Sequence, residues 1–488
     1  MSSEEYDVVV VGAGNAALSA AISAYENGAR VVVLEKAPRS LRGGDTRFSG
    51  GGFRFVHKGK GEILEFLPDL SEEERNAIEI GEYSSDRFYS DLMRVTHGLA
   101  DPEQAEIVVK ESNKTVRWLT EHGVKWELWT TTASKVGDKL IFQPGAVIRA
   151  QGAGEGLAEM EAEIVEKLGI EVLYETKAMK LLTDNTSRVV GVKIRDKTGL
   201  RDIYAGAVVL GCGGFQANPE MRVKYLGPGW DLVKVRGTRY NTGDGLVMAL
   251  EIGAQPTGHW SGCHCSPVDA NMPPVEIGDR GNRYSYPYSI MVNELGERFV
   301  DEGEDFQLFT YAKFGSIILK QPHGIAFQIF DQKTKDLIST HYANATPIIA
   351  NTIEELAKEI GIDPKRLKKT VEEFNAAVLE NVEFNPGIKD GKCTVGIEPP
   401  KSNWALKLDT PPHIAYAITG GITFTFGGLK INKNAQVLDK EGNVIQGLYA
   451  CGEITGGLFY YNYPGGAGLT KGAVFGRIAG ANAAKEAS

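Results

Sequence analysis

The stretch that decides the fold is Tyr6-Asp-Val-Val-Val-Val-Gly-Ala-Gly-Asn-Ala-Ala-Leu-Ser-Ala20, followed by a helical segment and by Val31-Val-Val-Leu-Glu35. It reads as a buried strand, a glycine turn, a helix and a second strand that ends in an acid. Gly12 permits the tight turn, and Gly14 lets the backbone approach a pyrophosphate at the helix N-terminus. Glu35 stands about 20 residues after the glycines, where an acid accepts from ribose hydroxyls. The stretch therefore predicts a Rossmann-like unit that binds a dinucleotide.

Bulk composition limits the classes of protein that this chain can belong to. Its 488 residues predict two or three domains, and a formal charge of −10 argues against a nucleic-acid partner. No apolar run reaches the ~18 residues of a membrane span, and the N-terminus lacks a basic leader segment. Five cysteines, an odd number, fit a reducing cytoplasm. The Cys263-His264-Cys265 run has no second ligand pair at zinc spacing, so we interpret it as buried thiols and expect no metal.

The pattern along the chain predicts an α/β fold with an insertion. Helices are expected over 65–124, 153–168 and 352–382. The run 207–215 is a buried strand that enters a glycine turn, but it is not a second complete dinucleotide motif, so no separate nicotinamide domain is expected. We predict a Rossmann-like nucleotide domain assembled from 1–257 and 421–488, with an α+β capping domain inserted at 258–420.

Several motifs follow one another in order: Gly12–Ala17 with Glu35, Arg42–Gly51, Val208–Phe215, Asn241–Gly245, Phe426–Leu429, Gly447–Glu453 and Gly472–Gly480. Together they resemble one flavoprotein family, that of fumarate reductases, succinate dehydrogenase flavoprotein subunits and 3-ketosteroid dehydrogenases. The resemblance covers nearly the whole chain. Three further segments, Arg236–Asn241, Arg298–Phe306 and Ile422–Phe426, resemble the tricarballylate dehydrogenase-like branch of the family.

This resemblance implies FAD, bound noncovalently because 42–52 contains no histidine where covalent members carry their attachment residue. It implies an oxidoreductase acting on CH–CH groups. The implied cofactor contacts are Gly12, Gly14, Asn15, Ala16, Glu35, Lys36, Gly43, Gly44, Asp45, Thr46, Ser49, Gly50, Gly51, Ala178, Gly213, Gly214, Asp244, Gly452, Glu453, Gly468 and Leu469.

The chain departs from fumarate reductases where those enzymes hold their substrate. Phe306 stands at the position of the proton-donating arginine, and Phe424 at that of a clamping histidine. Phe459 and Tyr463 replace a further histidine and arginine. Such a pocket has lost charge and gained apolar walls, so we expect these residues to surround a different substrate.

Tyr463-Pro-Gly-Gly-Ala467 resembles instead the ketone-binding segment of 3-ketosteroid dehydrogenases. There a tyrosine hydroxyl and a backbone amide, here those of Tyr463 and Ala467, bind the ketone oxygen. Removal of a proton next to a carbonyl builds negative charge on that oxygen, and two preorganised donors stabilise it. The hydrogen on the neighbouring carbon then passes to flavin N5 as a hydride.

The proton acceptor and the substrate anchor are less well specified by the sequence. Tyr284, Tyr286 and Tyr288 alternate in a run that we expect to be extended, with all three on one face. Tyr460 and Tyr461 are rivals for the same role. Arg236 and Arg239 flank Gly-Thr before the flavin turn, and their guanidinium groups suit a substrate carboxylate.

The first functional hypothesis is FAD-dependent α,β-dehydrogenation of a small cyclic ketone, with a 4-oxocyclohexanecarboxylate-like compound as the plausible carboxylated example. The alternatives are dehydrogenation of a tricarballylate-type di- or tricarboxylate, enoate reduction of the fumarate type, and a flavin-carrying subunit without chemistry of its own. The sequence leaves the electron acceptor open between oxygen, a quinone and an electron-transfer protein.

Overall fold

The computed structural model describes residues 5–488. The first four residues, on which the expectation of a chain without a leader segment partly rests, lie outside the described residues.

Helices and strands alternate through most of the chain. The helices are α1 (Asn15–Glu26), α2 (Lys60–Glu65), α3 (Glu72–Ala77), α4 (Ser85–Val95), α5 (Pro102–His122), α6 (Ala153–Lys167), α7 (Pro219–Leu226), α8 (Asp244–Glu251), α9 (Tyr311–Ile318), α10 (Ile353–Glu359), α11 (Pro364–Ala377) and α12 (Ala467–Ala487). The strands are β1 (Glu5–Val11), β2 (Val31–Leu34), β3 (Ile78–Glu79), β4 (Trp126–Leu128), β5 (Ala133–Val136), β6 (Lys139–Phe142), β7 (Ile148–Ala150), β8 (Glu171–Leu173), β9 (Lys177–Thr183), β10 (Val189–Asp196), β11 (Gly199–Leu210), β12 (Lys234–Val235), β13 (Pro256–Asp269), β14 (Ile290–Asn293), β15 (Ile325–Phe330), β16 (Ile348–Ala350), β17 (His413–Leu429), β18 (Gln436–Leu438) and β19 (Val444–Ala450).

A parallel sheet forms the centre of the nucleotide-binding part. Its parallel strands run in the order β19-β11-β1-β2-β8, with β18 antiparallel at one edge and β9-β10 attached to β11. The central strands are valine-rich and buried, as expected for a parallel sheet covered on both faces. Because β19 comes from the C-terminal part of the chain, the predicted assembly of an α/β fold from both chain ends is confirmed.

The last helix, α12, packs against the first, α1, and this contact needs a small residue. A side chain at Gly476 would place its Cβ 2.5 Å from the Ala16 carbonyl oxygen, so only glycine allows the approach. The packing brings the beginning of α12 close to the glycine turn after β1.

A second, mostly antiparallel sheet is formed by strands that lie, in the sequence, between the N-terminal and C-terminal strands of the first sheet. Strand β17 pairs with β12, β13, β15 and β16, and β14 pairs with β15. Helices α10 and α11 cover it through a separate apolar cluster that includes Leu356, Leu367 and Phe374. These strands fall between residues 234 and 429. The domain limits at 257/258 and 420/421 stay predictions.

Most local expectations agree with the structure, and one does not. Helices α3, α4 and α5 lie within the predicted helical segment 65–124, and α2 ends at its first residue. Helix α6 lies within 153–168, and α10 and α11 lie within 352–382. The run Tyr284–Tyr288 is not extended, because Tyr286–Tyr288 form a 3₁₀ turn that contains Pro287. The three tyrosines therefore do not share one face.

Between residues 5 and 488, no helix combines the length and the apolar character that a membrane crossing needs. All five cysteines are free thiols.

Candidate active site

A large cavity lies at the carboxyl ends of the parallel strands. The residues that directly follow β1, β2 and β11 line one side of it, and Thr423–Phe426 of β17 line another. Ligands of open parallel sheets bind at this edge. All the predicted cofactor-binding residues line this cavity except two: Gly43 packs against Ala158, and Gly214 packs against the carboxyl group of Glu453.

The nucleotide end of the cavity is built from the first glycine turn. Gly12 has φ +105°, and a Cβ there would lie 2.7 Å from the Gly211 carbonyl oxygen. Gly14 precedes α1 and provides no side-chain cap, and Gly14, Asn15 and Ala16 at the N-terminus of α1 line the cavity. Thr46 Oγ1 accepts from the Asn15 amide at 3.0 Å. This arrangement fits the pyrophosphate of a dinucleotide.

Two acids at this end have different surroundings. Glu35 is buried and accepts from the Ala37 amide at 2.7 Å, and burial raises the pKa of its carboxyl group. Asp244 is held by Lys36 Nζ at 2.6 Å and Lys177 Nζ at 2.7 Å. Burial alone would raise the pKa of Asp244, but these two lysines outweigh it and the pKa is lowered. Glu35 is thus the acid that can accept from a ribose.

A pair of acids lies in the middle of the cavity. Glu453 accepts from the Thr425 amide at 2.8 Å, and Asp45 accepts from the Thr238 amide at 2.7 Å. The Gln216 side-chain amide contacts both carboxyl groups. Burial raises the pKa of Glu453 to about 7, and burial together with the charge of Glu453 raises that of Asp45. The pair therefore retains a proton near neutral pH.

The other end of the cavity is aromatic. Phe424, Phe459 and Tyr463 line it, and the Tyr463 ring centre lies 5.0 Å from that of Phe424 and 5.2 Å from that of Phe459. Tyr311, on α9, also lines the cavity, and its hydroxyl is hydrogen-bonded to that of Tyr463. Burial raises the pKa of both phenols.

His264 is a second cavity residue that the sequence did not identify. It lies on β13 opposite Phe424, with its ring centre 4.8 Å from that of Tyr311 and 5.1 Å from that of Tyr463. Neither ring nitrogen has a hydrogen-bond partner among residues 5–488. Burial, with the charge of Arg236, lowers the pKa of the imidazole well below its usual range, so His264 is neutral. The flanking Cys263 and Cys265 pack in an apolar cluster, in agreement with buried thiols.

A buried arginine and a tyrosine complete this end. Arg236 is 4% exposed, with Nη1 3.3 Å from Thr423 Oγ1 and Nη2 3.6 Å from Asp279 Oδ1. Its Nε has no partner in the described part of the chain. Tyr284 also lines the cavity, and its hydroxyl makes no hydrogen bond of ordinary geometry there. Burial raises the pKa of Tyr284 to about 12, although the charge of Arg236 opposes this.

Three predicted substrate or catalytic residues lie outside the cavity on the surface or against other elements. Arg239 is exposed, and its Nε and Nη2 bind the Glu276 carboxylate at 2.6 and 2.7 Å. Phe306 packs against Trp404, with ring centres 5.4 Å apart. Tyr460 stacks on His259, 6.0 Å between ring centres. Each of these side chains contacts a partner that does not line the cavity.

Three further predicted residues, Tyr286, Tyr288 and Ala467, also lie outside the lining of the cavity. Tyr286 is buried and its hydroxyl lies 2.6 Å from Thr310 Oγ1. Tyr288 packs near Trp404 because the 3₁₀ turn rotates it away from Tyr284. The Ala467 amide donates to the Pro464 carbonyl at 3.1 Å, in the turn that starts α12. The next residue, Gly468, lines the cavity instead.

A cavity that joins a dinucleotide turn to an aromatic end defines a nucleotide-binding protein with room for a second ligand. The chain belongs to the FAD binding domain family, whose model matches residues 7–469. The bound FAD would be held by the glycine turn, Glu35 and the amides beside Glu453.

Comparison with individual proteins agrees with this family. The chain is 31% identical over 490 residues to a probable fumarate reductase Ifc3 of Shewanella frigidimarina, covering 99% of this chain and 76% of that protein. It is 27% identical over 576 residues to a 3-oxosteroid 1-dehydrogenase of Mycolicibacterium smegmatis, covering 100% and 99%. A solved flavocytochrome c3 fumarate reductase in an open conformation superposes with a TM-score of 0.74 at 29% identity, covering 99% of this chain and 79% of that one. The protein is an FAD-dependent oxidoreductase that acts on CH–CH groups.

Proposed function

We propose that this protein is an FAD-dependent dehydrogenase that introduces an α,β double bond into a small cyclic ketone carrying a carboxylate, such as 4-oxocyclohexanecarboxylate. The observation that carries the proposal is the hydroxyl pair of Tyr463 and Tyr311 in the cavity of the FAD-binding residues. Such a donor stabilises the negative charge that develops on a ketone oxygen when the neighbouring proton is removed.

The donor pair works as a short hydrogen-bond chain. When Tyr311 donates to the Tyr463 oxygen, the Tyr463 proton is free to point at the ketone oxygen of the substrate. Donation onto Tyr463 polarises its O–H bond and makes it a better donor. The pair stabilises the negative charge that develops on the ketone oxygen as the α proton leaves. The first-turn amides of α12 at Gly468 supply positive charge at the same end.

Tyr284 is the proposed proton acceptor, because it lines the cavity and its hydroxyl makes no hydrogen bond of ordinary geometry among the described residues. To accept the α proton, Tyr284 must first release its own phenol proton to solvent. Burial opposes this release by raising the pKa to about 12, and the charge of Arg236 favours it by stabilising the phenolate. FAD, when bound, takes up the β hydrogen with its electron pair. The surrounding aromatic side chains exclude water from the oxygen where charge develops, which strengthens each interaction.

Arg236 is the proposed anchor for the substrate carboxylate. Its free Nε and its burial distinguish it from Arg239, whose guanidinium is used by Glu276. A buried guanidinium with unused donors gains most from a carboxylate that binds with two hydrogen bonds. The proposal thus specifies a ring with a ketone at the Tyr463 end and a carboxylate at the Arg236 end.

A second candidate is dehydrogenation of a tricarballylate-type compound or enoate reduction of the fumarate type. It is favoured by His264, which brings two unpartnered ring nitrogens to the cavity that holds Arg236, and by the fumarate reductases among the relatives. A third candidate, a flavin-carrying subunit without chemistry, makes no use of these buried polar groups.

Anaerobic bleaching of the bound flavin separates the three candidates. The purified yellow protein is mixed with 4-oxocyclohexanecarboxylate, cyclohexanone, tricarballylate and succinate in separate experiments. Our proposal expects rapid bleaching by the carboxylated ketone and slower bleaching by cyclohexanone. Bleaching by tricarballylate or succinate alone would support the second candidate, and a flavin that responds to none of them would support the third.

A further inference from the structure

Lys471 is a buried lysine in the cofactor half of the cavity, and neither the fold nor the proposed reaction accounts for it. It is 4% exposed and lines the cavity. Its ammonium donates to the Thr455 carbonyl at 2.6 Å and lies 5.4 Å from the centre of the Phe459 ring. Within the described residues no other acceptor bonds to it, so two of its three donors are unused.

The position of Lys471 along α12 follows from its neighbours. A side chain at Gly468 would touch the rings of Tyr463 at 3.7 Å and Phe424 at 3.8 Å. A side chain at Gly472 would touch Asn15 at 3.0 Å and Ala16 at 3.3 Å. Residues three and four apart share one face of a helix. This face of α12 therefore runs from the ketone end to the pyrophosphate turn, with Lys471 between them.

A bound FAD would have the same order along this cavity. Its pyrophosphate would lie at the glycine turn, and its reactive ring would have to reach the substrate at the aromatic end. The flavin half of the cofactor would therefore occupy the intervening part of the cavity, which Lys471 lines. An ammonium at this place would act on the flavin through a medium of low polarity.

The charge state of Lys471 supports an electrostatic role. Burial lowers the pKa of its ammonium to about 7, and the charge of Glu453 opposes this lowering. The titratable groups that face it are the Glu453 carboxyl and the Cys451 thiol, both buried in the same region. The Lys471 ammonium and the Glu453 carboxyl therefore titrate in the same pH region, and mildly acidic buffer favours the charged form of Lys471.

We propose that Lys471 sets the reduction potential of the bound FAD by holding a positive charge beside its flavin half. Uptake of two electrons and one proton would leave the reduced flavin with one negative charge, so a nearby ammonium would stabilise the reduced form more than the neutral oxidised form. The lysine thereby raises the potential and makes the flavin a stronger acceptor for a C–H bond. This inference rests on FAD binding and not on the ketone reaction.

The test is the midpoint potential of the bound FAD, measured with redox dyes at about pH 6 to keep the lysine charged. In Lys471→Met the equilibrium constant for two-electron reduction should fall by about tenfold, a shift of about 30 mV toward negative potential. Lys471→Arg should retain the potential because it retains the charge. Lys485→Met, in the exposed last turn of the same helix, is the matched control and should leave the potential unchanged.

An unchanged potential in Lys471→Met would overturn the proposal. If that variant does not retain FAD, Lys471→Gln takes its place, with the same expected decrease. Loss of FAD from both variants, with the melting temperature of the apoprotein unchanged, would assign Lys471 to cofactor retention and would also overturn the redox role. Because dyes replace the substrate, failure of the ketone proposal leaves this test intact.

Discussion

The hydroxyl of Tyr311 is hydrogen-bonded to the hydroxyl of Tyr463, although 152 positions separate them in the chain. Tyr311 comes from the first turn of α9, and Tyr463 comes from the loop that precedes α12. The Tyr463 loop is held in place by the Asn462 side-chain amide, which donates to the Phe309 carbonyl at 2.6 Å, and by the Gly465 amide, which donates to Leu308 at 2.7 Å. The two segments thus present their phenols to the cavity as one unit.

Tyr463→Phe should slow flavin reduction by the ketone roughly 10²- to 10³-fold, the usual cost of one oxyanion donor. The ring and its packing on Phe424 remain, so FAD should stay bound. Substrate affinity should change much less, because the charge on the ketone oxygen develops only in the transition state. Stopped-flow reduction under anaerobic conditions measures both quantities.

Tyr460→Phe is the matched control for this experiment. Because Tyr460 does not line the cavity, this variant should reduce its flavin at the wild-type rate. If Tyr463→Phe reduces its flavin within twofold of the wild-type rate, Tyr463 only packs in the cavity and does not act as a hydrogen-bond donor in the reaction.

Arg236→Lys should raise the KM for a carboxylated ketone by about tenfold, equivalent to about 1.4 kcal/mol, and should change the KM for the uncharged analogue much less. Lysine keeps the charge but loses the planar fork that binds a carboxylate with two hydrogen bonds. Steady-state kinetics with the two substrates provide the comparison.

Arg239→Lys serves as the control, because this arginine is exposed and bound to Glu276. Equal changes for both substrates in Arg236→Lys would mean that Arg236 only supports the cavity wall through Thr423 and Asp279.

Fumarate should reoxidise the reduced enzyme slowly, at less than a hundredth of the rate of an enone product. Phe424 and Phe459 at the substrate end carry no exchangeable proton, and burial raises the pKa of the Tyr463 phenol, which makes it a poor acid. Anaerobic mixing of the dithionite-reduced enzyme with each oxidant measures the rates. Fast oxidation by fumarate would show that His264 and Arg236 support the second candidate function.

Removal of FAD should make the stability of the protein depend on pH through Glu453. Burial raises the pKa of this carboxyl group from 4.5 to about 7 in the folded protein. A raised pKa means that the folded state binds the proton more tightly, so this stabilisation is complete below about 4.5 and is lost as pH rises through about 7. The melting temperature of the apoprotein should therefore decrease across this range.

Glu453→Gln should flatten that decrease, because the amide stays neutral at every pH. Asp45 titrates in the same direction and leaves a residual slope, so the flattening is partial. An apoprotein whose melting temperature changes with pH identically in both forms would contradict the assignment of the proton to Glu453.

The amino-acid sequence by itself determined the nucleotide half of this protein. The glycine turn, its two valine strands and Glu35 lie within about 30 consecutive residues. Their structure is governed by local backbone requirements and strand propensity, which a sequence pattern reports directly. The aromatic replacement at Phe424, Phe459 and Tyr463 was also visible, because ordered motifs frame each position.

Only the tertiary structure decided which other side chains reach the substrate. His264 enters the cavity because β13 pairs with β17 in a register that sets it opposite Phe424, while its cysteine neighbours face away. Arg236 is buried and Arg239 is exposed, although the two arginines are only three positions apart in the sequence. Side-chain direction in such segments depends on pairing with residues distant in the chain, and a one-residue change of register reverses it. For the same reason Tyr311 and Lys471 are site residues only in the folded chain, where α9 and α12 both contribute side chains to the cavity.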